Sequence, residues 1–195
     1  MNTIENSQEM QKTVNPYRNT ENDRVLVVLD VRNITARQNQ DYCNARIDYG
    51  KLLTDTVDGR ILIGAIAVDS LIEDSDGRDS ARIFHRELKN SGFRLDLVPP
   101  SNNKGKQEGV DVKIARLAQK YVLRGQCDVV ELITGDGDFT VLVQSIQSEG
   151  VRAYVTSFYK SLSYSLRNEA DLVRILDNVP IIRMHPGTPA VKEAA

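Results

Sequence analysis

The run RVLVVLDV at positions 24–31 restricts the fold more than any other segment. Val25 to Leu29 are apolar without a break, so a strand built from them has no face to turn to water. Strands of this kind lie at the centre of parallel sheets covered by helices on both sides. Four further apolar segments read as strands, at 60–69 (RILIGAIAVD), 93–98, 127–134 and 151–156, with a short sixth at 181–184. Helical patterns alternate with them. A helix is expected near 47–57, and another over 80–90 with Ile83, Phe84 and Leu88 on one side, closed by Ser91-Gly92. A third covers 110–124, where Ile114, Leu117, Ala118 and Tyr121 recur at three- and four-residue spacing before Gly125. A fourth covers 139–149 with Val141, Leu142, Ser145 and Ile146 inward, and a last helical segment covers 163–178. Residues 73–78 read as a turn, and the stretch after the first strand is polar without assignable structure. Strands alternating with helices give βαβ units with right-handed crossovers. The expected fold is a three-layer α/β/α domain around a mostly parallel sheet of five or six strands.

The chain has 195 residues, a length suited to one domain. Residues 1–23 are polar and aperiodic and read as a flexible arm, 24–184 as the folded domain, and 185–195 as a flexible tail. No apolar run is long enough to span a membrane, and no signal-peptide pattern opens the chain, so a cytoplasmic location and no membrane partner are expected. Cys43 and Cys127 read as free thiols. The formal net charge of -2 offers no global attraction to nucleic acid. Any such binding needs a local basic patch or a bound cation.

In open α/β sheets, ligands bind beyond the carboxyl ends of the strands. The first strand ends at Asp30, with Asn33 just beyond; the fourth ends at Thr134, followed by Gly135-Asp136-Gly137-Asp138; the helix over 110–124 begins at Asp111 on the same edge. Four aspartates from three stretches are thereby expected on one rim. Clustered carboxylates repel each other, and a hard divalent cation with oxygen ligands, Mg²⁺ or Mn²⁺, relieves this. Gly135 and Gly137 permit a tight turn. Simple helix capping is an equal alternative for Asp138 and Asp111 and a weaker one for Asp136, whereas Asp30, closing an apolar run, requires compensation if buried.

Lys104 and Lys106, in the loop before Asp111, are candidates for phosphate contacts, against the plainer reading of solvated lysines. Arg37, Arg46, Lys113, Lys160 and Arg167 are weaker candidates of the same kind. Tyr159 and Tyr164 suit either base stacking or ordinary packing. The sequence DSDG at 74–77 fails as a calcium loop because Ile72 and Ile83 stand at ligand positions. His85 and His185 lack the partners of a zinc site, and neither GxxxxGK[ST] nor GxSxG occurs.

LDVRN, EGVDVKIA and ELITGDGDF resemble the three acidic motifs of the NYN family, part of the wider PIN-like nuclease group, and are most similar to its LabA-type (DUF88) branch. Ser163-x-x-Leu166-x-x-x-Ala170-Asp171 resembles that branch's C-terminal motif. The resemblance implies a Mg²⁺- or Mn²⁺-dependent, endonucleolytic ribonuclease acting on single-stranded RNA, with room for a homodimer. It places Asp30, Asp111, Asp136 and Asp138 as catalytic metal-site carboxylates, Asn33 and Thr134 as supporting polar groups, and Arg32, Lys104, Lys106 and Ser163 toward substrate. Arg32 departs from the usual first motif and is expected either to meet phosphate or to pair with a carboxylate and weaken the metal site. The alternatives are an RNA- or partner-binding module on the same fold without turnover, and a phosphatase, which lacks a matching nucleophile motif at Asp30.

Overall fold

The computed structural model describes residues 21–41, 46–71, 75–99, 109–178 and 182–183. Strand β1 (Arg24–Asp30) is followed by α1 (Val31–Asp41), β2 (Arg46–Ile47), α2 (Tyr49–Val57), β3 (Ile61–Ser70), α3 (Ser75–Asn90) and β4 (Arg94–Val98). Then come α4 (Val110–Val122), β5 (Val129–Ile133), α5 (Thr140–Ser148), β6 (Arg152–Ser157), α6 (Tyr164–Glu169), β7 (Leu172–Ile175) and β8 (Ile182–Arg183). The main sheet has six strands in the order β4-β3-β1-β5-β6-β7, and every pairing in it is parallel.

Strand β1 is central, and its side chains divide between two cores. Leu26 and Val28 pack with Ile114, Leu117 and Ala118 of α4, with Leu142, Val143 and Ile146 of α5 and with Leu166 of α6. Val25, Val27 and Leu29 pack with Val31 and Ile34 of α1, Leu52 and Leu53 of α2, and Leu88 of α3. The strand order also fixes where a site can lie. From β1 the chain winds outward to β3 and β4, and α4 then carries it back across the sheet to β5 on β1's other side. The direction of winding reverses between β1 and β5, and a crevice opens at their carboxyl ends.

Several expectations are corrected. The polar stretch after β1 is a helix, α1, held by little apolar burial beyond Val31 and Ile34; its Thr35 hydroxyl donates back to the Val31 carbonyl at 2.8 Å. Helix α3 begins at Ser75, inside the expected turn. The helix expected over 163–178 stops at Glu169. Asp171 then fastens the chain to β6, its backbone N–H donating to the Ala153 carbonyl and its carboxylate accepting from Ala153 N–H at 2.8 Å, and the β-branched LVRI continues as β7. The sixth strand of the sheet is therefore β7. β8, at the position expected for it, pairs antiparallel with β2 in a separate two-stranded ribbon. Ile83 and Val141, expected inward, are largely exposed. Cys127 is a buried free thiol, pushed up to about 11 chiefly by burial; Cys43 and most of the expected flexible arm 1–23 and tail 185–195 lie outside the described residues, but Asp23, expected in the arm, is buried and paired with Arg152 at 2.6 Å.

The sheet also buries a charge. Glu131 of β5 is 0% exposed. Its carboxylate accepts from Arg174 Nη1 at 2.6 Å, from Thr156 Oγ1 at 2.5 Å and from Arg60 Nη2 at 3.5 Å. Both guanidinium groups also lie over the Tyr154 ring, and Arg60 donates to the Thr56 and Val57 carbonyls at the end of α2. The network fastens α2 to β5, β6 and β7. Removing the carboxylate alone leaves the buried Arg60 without its anionic partner, while Arg174 keeps Asp58 at 3.4 Å. Glu131→Ala is expected to lower the unfolding free energy by about 3–5 kcal/mol, read from urea denaturation; a loss below about 1 kcal/mol would show that the network is incidental.

Candidate metal centre

Asp30 is 3% exposed. Its Oδ1 accepts from the Asn33 backbone N–H at 3.2 Å, three residues on, the geometry of a helix N-cap, here for α1. Its Oδ2 accepts from Thr134 Oγ1 at 3.2 Å across the sheet. The Thr134 oxygen in turn accepts from Asp136 N–H at 3.3 Å, and Asn33 Oδ1 accepts from Gly135 N–H at 2.9 Å. Asn33 and Thr134 together lock the end of β1 to the segment leaving β5.

That segment has no freedom at Gly135. A Cβ there would fall on the Ser161 carbonyl and come within 2.7 Å of Ser157 Oγ. Gly137 packs against Ser163, whose hydroxyl would stand 3.0 Å from an added Cβ. Asp136 caps the short 3₁₀ turn Gly137–Phe139, its Oδ1 accepting from Asp138 N–H at 3.0 Å. Capping thus falls to Asp136 and not to Asp138, the reverse of the expected weighting. Helix α4 is capped by Gly109 in the left-handed region, φ 108°, without a side-chain bond. Asp111 therefore caps nothing. Among the described residues, neither the Asp111 nor the Asp138 carboxylate has a hydrogen-bond or ion-pair partner.

Asp30, Asp111 and Asp136 line one cavity of about 390 Å³ with Arg32, Asn33, Arg37 and Lys160. Asp138 is exposed beside it. Burial, and then the charges of Asp111 and Asp136, push the Asp30 carboxyl up to about 6 against opposing bonds from Asn33 and Thr134. Burial and the charges of Asp136 and Asp138 also raise Asp111. The aspartates expected to converge do so closely enough to perturb one another. An all-oxygen, mutually repelling donor set suits a hard divalent cation. Among the described residues no group of three or more His, Cys, Asp or Glu side chains is placed to hold a metal ion together. The arrangement suits an ion held by one or two carboxylates with water completing its shell, as Mg²⁺ prefers.

Arg32 sits at the cavity rim, with Nε 3.6 Å from Asp69 Oδ1. It pairs with a carboxylate outside the cluster. Asp69, buried at the end of β3, also meets His85 Nε2 at 2.9 Å; sequence reading missed this pair, since only the fold brings α3 back over β3. Ser163 is the N-cap of α6, its hydroxyl accepting from Leu166 N–H at 3.2 Å, and it does not line the cavity. Lys104 and Lys106 lie outside the described residues. Arg37 and Lys160, the weaker basic candidates, do line it, with Arg37 Nη2 donating to the Lys160 carbonyl at 3.3 Å. Of the others, Lys113 meets Asp96, Arg46 meets Glu87 and Arg167 lies over the Tyr159 ring. Tyr159 and Tyr164 are both exposed, not packed in the core.

A parallel α/β/α sandwich with acidic residues gathered at the winding reversal of its sheet defines the PIN-like class. Residues 24–177 match the model of the NYN domain, and the chain belongs to that family. A crystal structure of a protein of unknown function from Vibrio parahaemolyticus is similar, with a TM-score of 0.71 and 25% identity, over 83% of this chain and 97% of that one. No curated protein matches the chain significantly. Among the described residues no helix is long and apolar enough to cross a membrane.

The Asp30 carboxyl links site and stability. Below its ordinary value of 3.8 it is protonated in folded and unfolded chains alike. As pH rises from there to about 6, the unfolded chain ionises first and the fold loses stability; above about 6 the penalty is constant. In a metal chelator, Asp30→Asn is expected to be more stable than the parent at pH 7, by up to about 3 kcal/mol. The advantage should shrink as pH falls toward 4. Urea denaturation at the two pH values reads the difference, and an equal effect at both would refute the raised carboxyl.

Proposed function

We propose that the chain is a divalent-metal-dependent ribonuclease of the LabA-type branch, cutting single-stranded RNA internally. The observation that carries this reading is the gathering of Asp30, Asp111 and Asp136 around one cavity in the crevice between β1 and β5. Asp136 and Asp30 are the leading ligands for Mg²⁺ or Mn²⁺, with Asp111 and Asp138 completing the acidic set through water. When bound, such an ion supplies Lewis acidity that activates water and stabilises charge on a phosphoryl group. Thr134 and Asn33 hold Asp30 and the Gly135–Asp136 backbone in register, so the carboxylates meet the cation without rearrangement. Arg32, Arg37 and Lys160 present positive charge at the rim to the backbone phosphates flanking the scissile bond. Asp69 draws Arg32 away from the acidic cluster, so Arg32 orients substrate and does not compete with the cation. The arginine that departs from the family motif thus gives no support to a module without turnover.

Purified chain should cut circular single-stranded RNA, a substrate with no ends, in Mn²⁺ and fail to do so in EDTA. Substituting a residue that hydrogen-bonds a metal's ligand typically costs about 10–100-fold, and loss of a direct ligand costs at least as much. Asp136→Asn should therefore reduce cleavage by about 100-fold or more. Equal cleavage under all three conditions rejects the mechanism, and RNA binding without cleavage in Mn²⁺ returns the chain to the binding-module alternative.

A further inference from the structure

Helix α4 carries a stripe of cations that the proposed site does not use. Lys113, Arg116, Lys120 and Arg124 follow one another at intervals of three and four residues, the spacing that stacks side chains on one helical face. Arg94, at the start of the edge strand β4, joins them. Two hollows of about 650 and 500 Å³ run along this face, the first lined by Arg94, Lys113, Arg116 and Lys120, the second by Arg94, Lys120 and Arg124. They share Arg94, Leu117 and Lys120 and so form one continuous groove between α4 and β4.

The groove is short of negative charge. Asp96 is the only carboxylate among its lining residues and is occupied by Lys113 at 2.9 Å. Nearby Asp128 is held by Arg24 through two bonds of 2.9 Å. Among the described residues, Arg94, Arg116, Lys120 and Arg124 have no anionic partner, and all four are exposed. A chain of net charge -2 has gathered unpaired cations along one groove, Arg116 and Lys120 on α4, Arg124 two residues past its end and Arg94 at the start of β4. The stripe begins at Lys113, two residues from Asp111. It lies on the β4 side of the helix, whereas Asp111 faces the crevice on the other side, so the two are separated by about one helix width, ~10 Å.

We infer that the α4–β4 groove binds the sugar-phosphate backbone of single-stranded RNA, as a track that continues from the carboxylate crevice over the amino end of α4. The inference rests on the ribonuclease reading for the identity of the polyanion. The track acts through charge, so it adds affinity without sequence preference. It holds RNA away from the chemistry and contributes most with substrates long enough to reach beyond the crevice.

The test is equilibrium binding of a labelled single-stranded RNA by the full chain in EDTA, followed across a salt titration. Without divalent metal no cleavage intervenes, so failure of the nuclease reading and failure of the track are told apart. Each phosphate contact on a single strand contributes about 0.7 to the slope of log K against log salt. The variant R116Q/K120Q/R124Q should flatten that slope by about 2 and weaken binding at low salt. The control R82Q/R86Q/K89Q removes the same charge from the exposed face of α3, across the sheet, and should leave the slope close to the parent's. All six positions are exposed, and circular dichroism confirms folding before titration. An unchanged slope in the α4 variant overturns the inference, as does an equal loss in the α3 variant. Binding of the parent to anionic lipid vesicles but not to RNA also overturns it.

Discussion

The arrangement turns on a carboxylate at the end of a strand that has no exposed face. β1 lies between β3 and β5 with a helical layer on each side, so whatever terminates it at Asp30 is held by the whole fold. Burying an ionisable group there is unfavourable, and the neighbouring chain responds with an N–H from Asn33 and a hydroxyl from Thr134. The same two residues bind the Gly135 and Asp136 backbone. One set of bonds therefore stabilises Asp30 and positions the second acidic segment. The remaining electrostatic strain, seen in Asp30 and Asp111, is what a cation would relieve under the proposed function.

Short-range constraints explain why this segment reads TGDGD. Thr134 supplies a hydroxyl that faces Asp30 on one side and Asp136 N–H on the other. Gly135 passes beneath the Ser161 carbonyl, where no side chain fits. Asp136 needs one oxygen for the 3₁₀ turn and keeps the other toward the cavity. Gly137 clears the Ser163 hydroxyl, and Ser163 N–H donates to the Gly135 carbonyl at 2.9 Å, so the start of α6 braces the turn. Ser163 thus braces the turn, a structural part that spacing alone does not reveal.

Much of the architecture was legible because burial on both faces leaves a one-dimensional trace. VLVVL has no polar position to mark an outer side, and its extent fixed β1 to within a residue. The crossover order followed from the alternation of periods, and with it the edge on which Asp30, Asp111 and Asp136 meet. What escaped was whatever depends on few apolar contacts or on partners distant in sequence. α1 buries Val31 and Ile34 within a polar stretch, too little for a periodic signal. β7 was hidden because Leu172, Val173 and Ile175 also fit a helical reading, and the deciding bonds come from Ala153, 18 residues away. Arg37 and Lys160 reach the same cavity from α1 and the segment after β6, and nothing in either stretch distinguishes them from solvated cations. The Arg60–Glu131–Arg174 network was invisible for the same reason: a glutamate inside VVELI looks like a defect until two arginines from other elements are placed beside it.

Under the proposed function, charge placement reconciles an acidic chain with a polyanionic substrate. Carboxylates at the crevice repel phosphate as strongly as they repel one another, so they serve RNA only when a cation neutralises them. Under the proposed function, that cation and the RNA act on each other's affinity to an equal extent, because linkage between binding sites is reciprocal. The rim cations Arg32, Arg37 and Lys160 line the same cavity as the carboxylates, and part of their charge is spent against them. The α4 stripe lies farther off, across a helix, and its field is screened from the crevice by the same solvent. Separation of that kind lets one small domain keep an acidic centre that attracts a metal and a basic flank that attracts phosphate, without either cancelling the other.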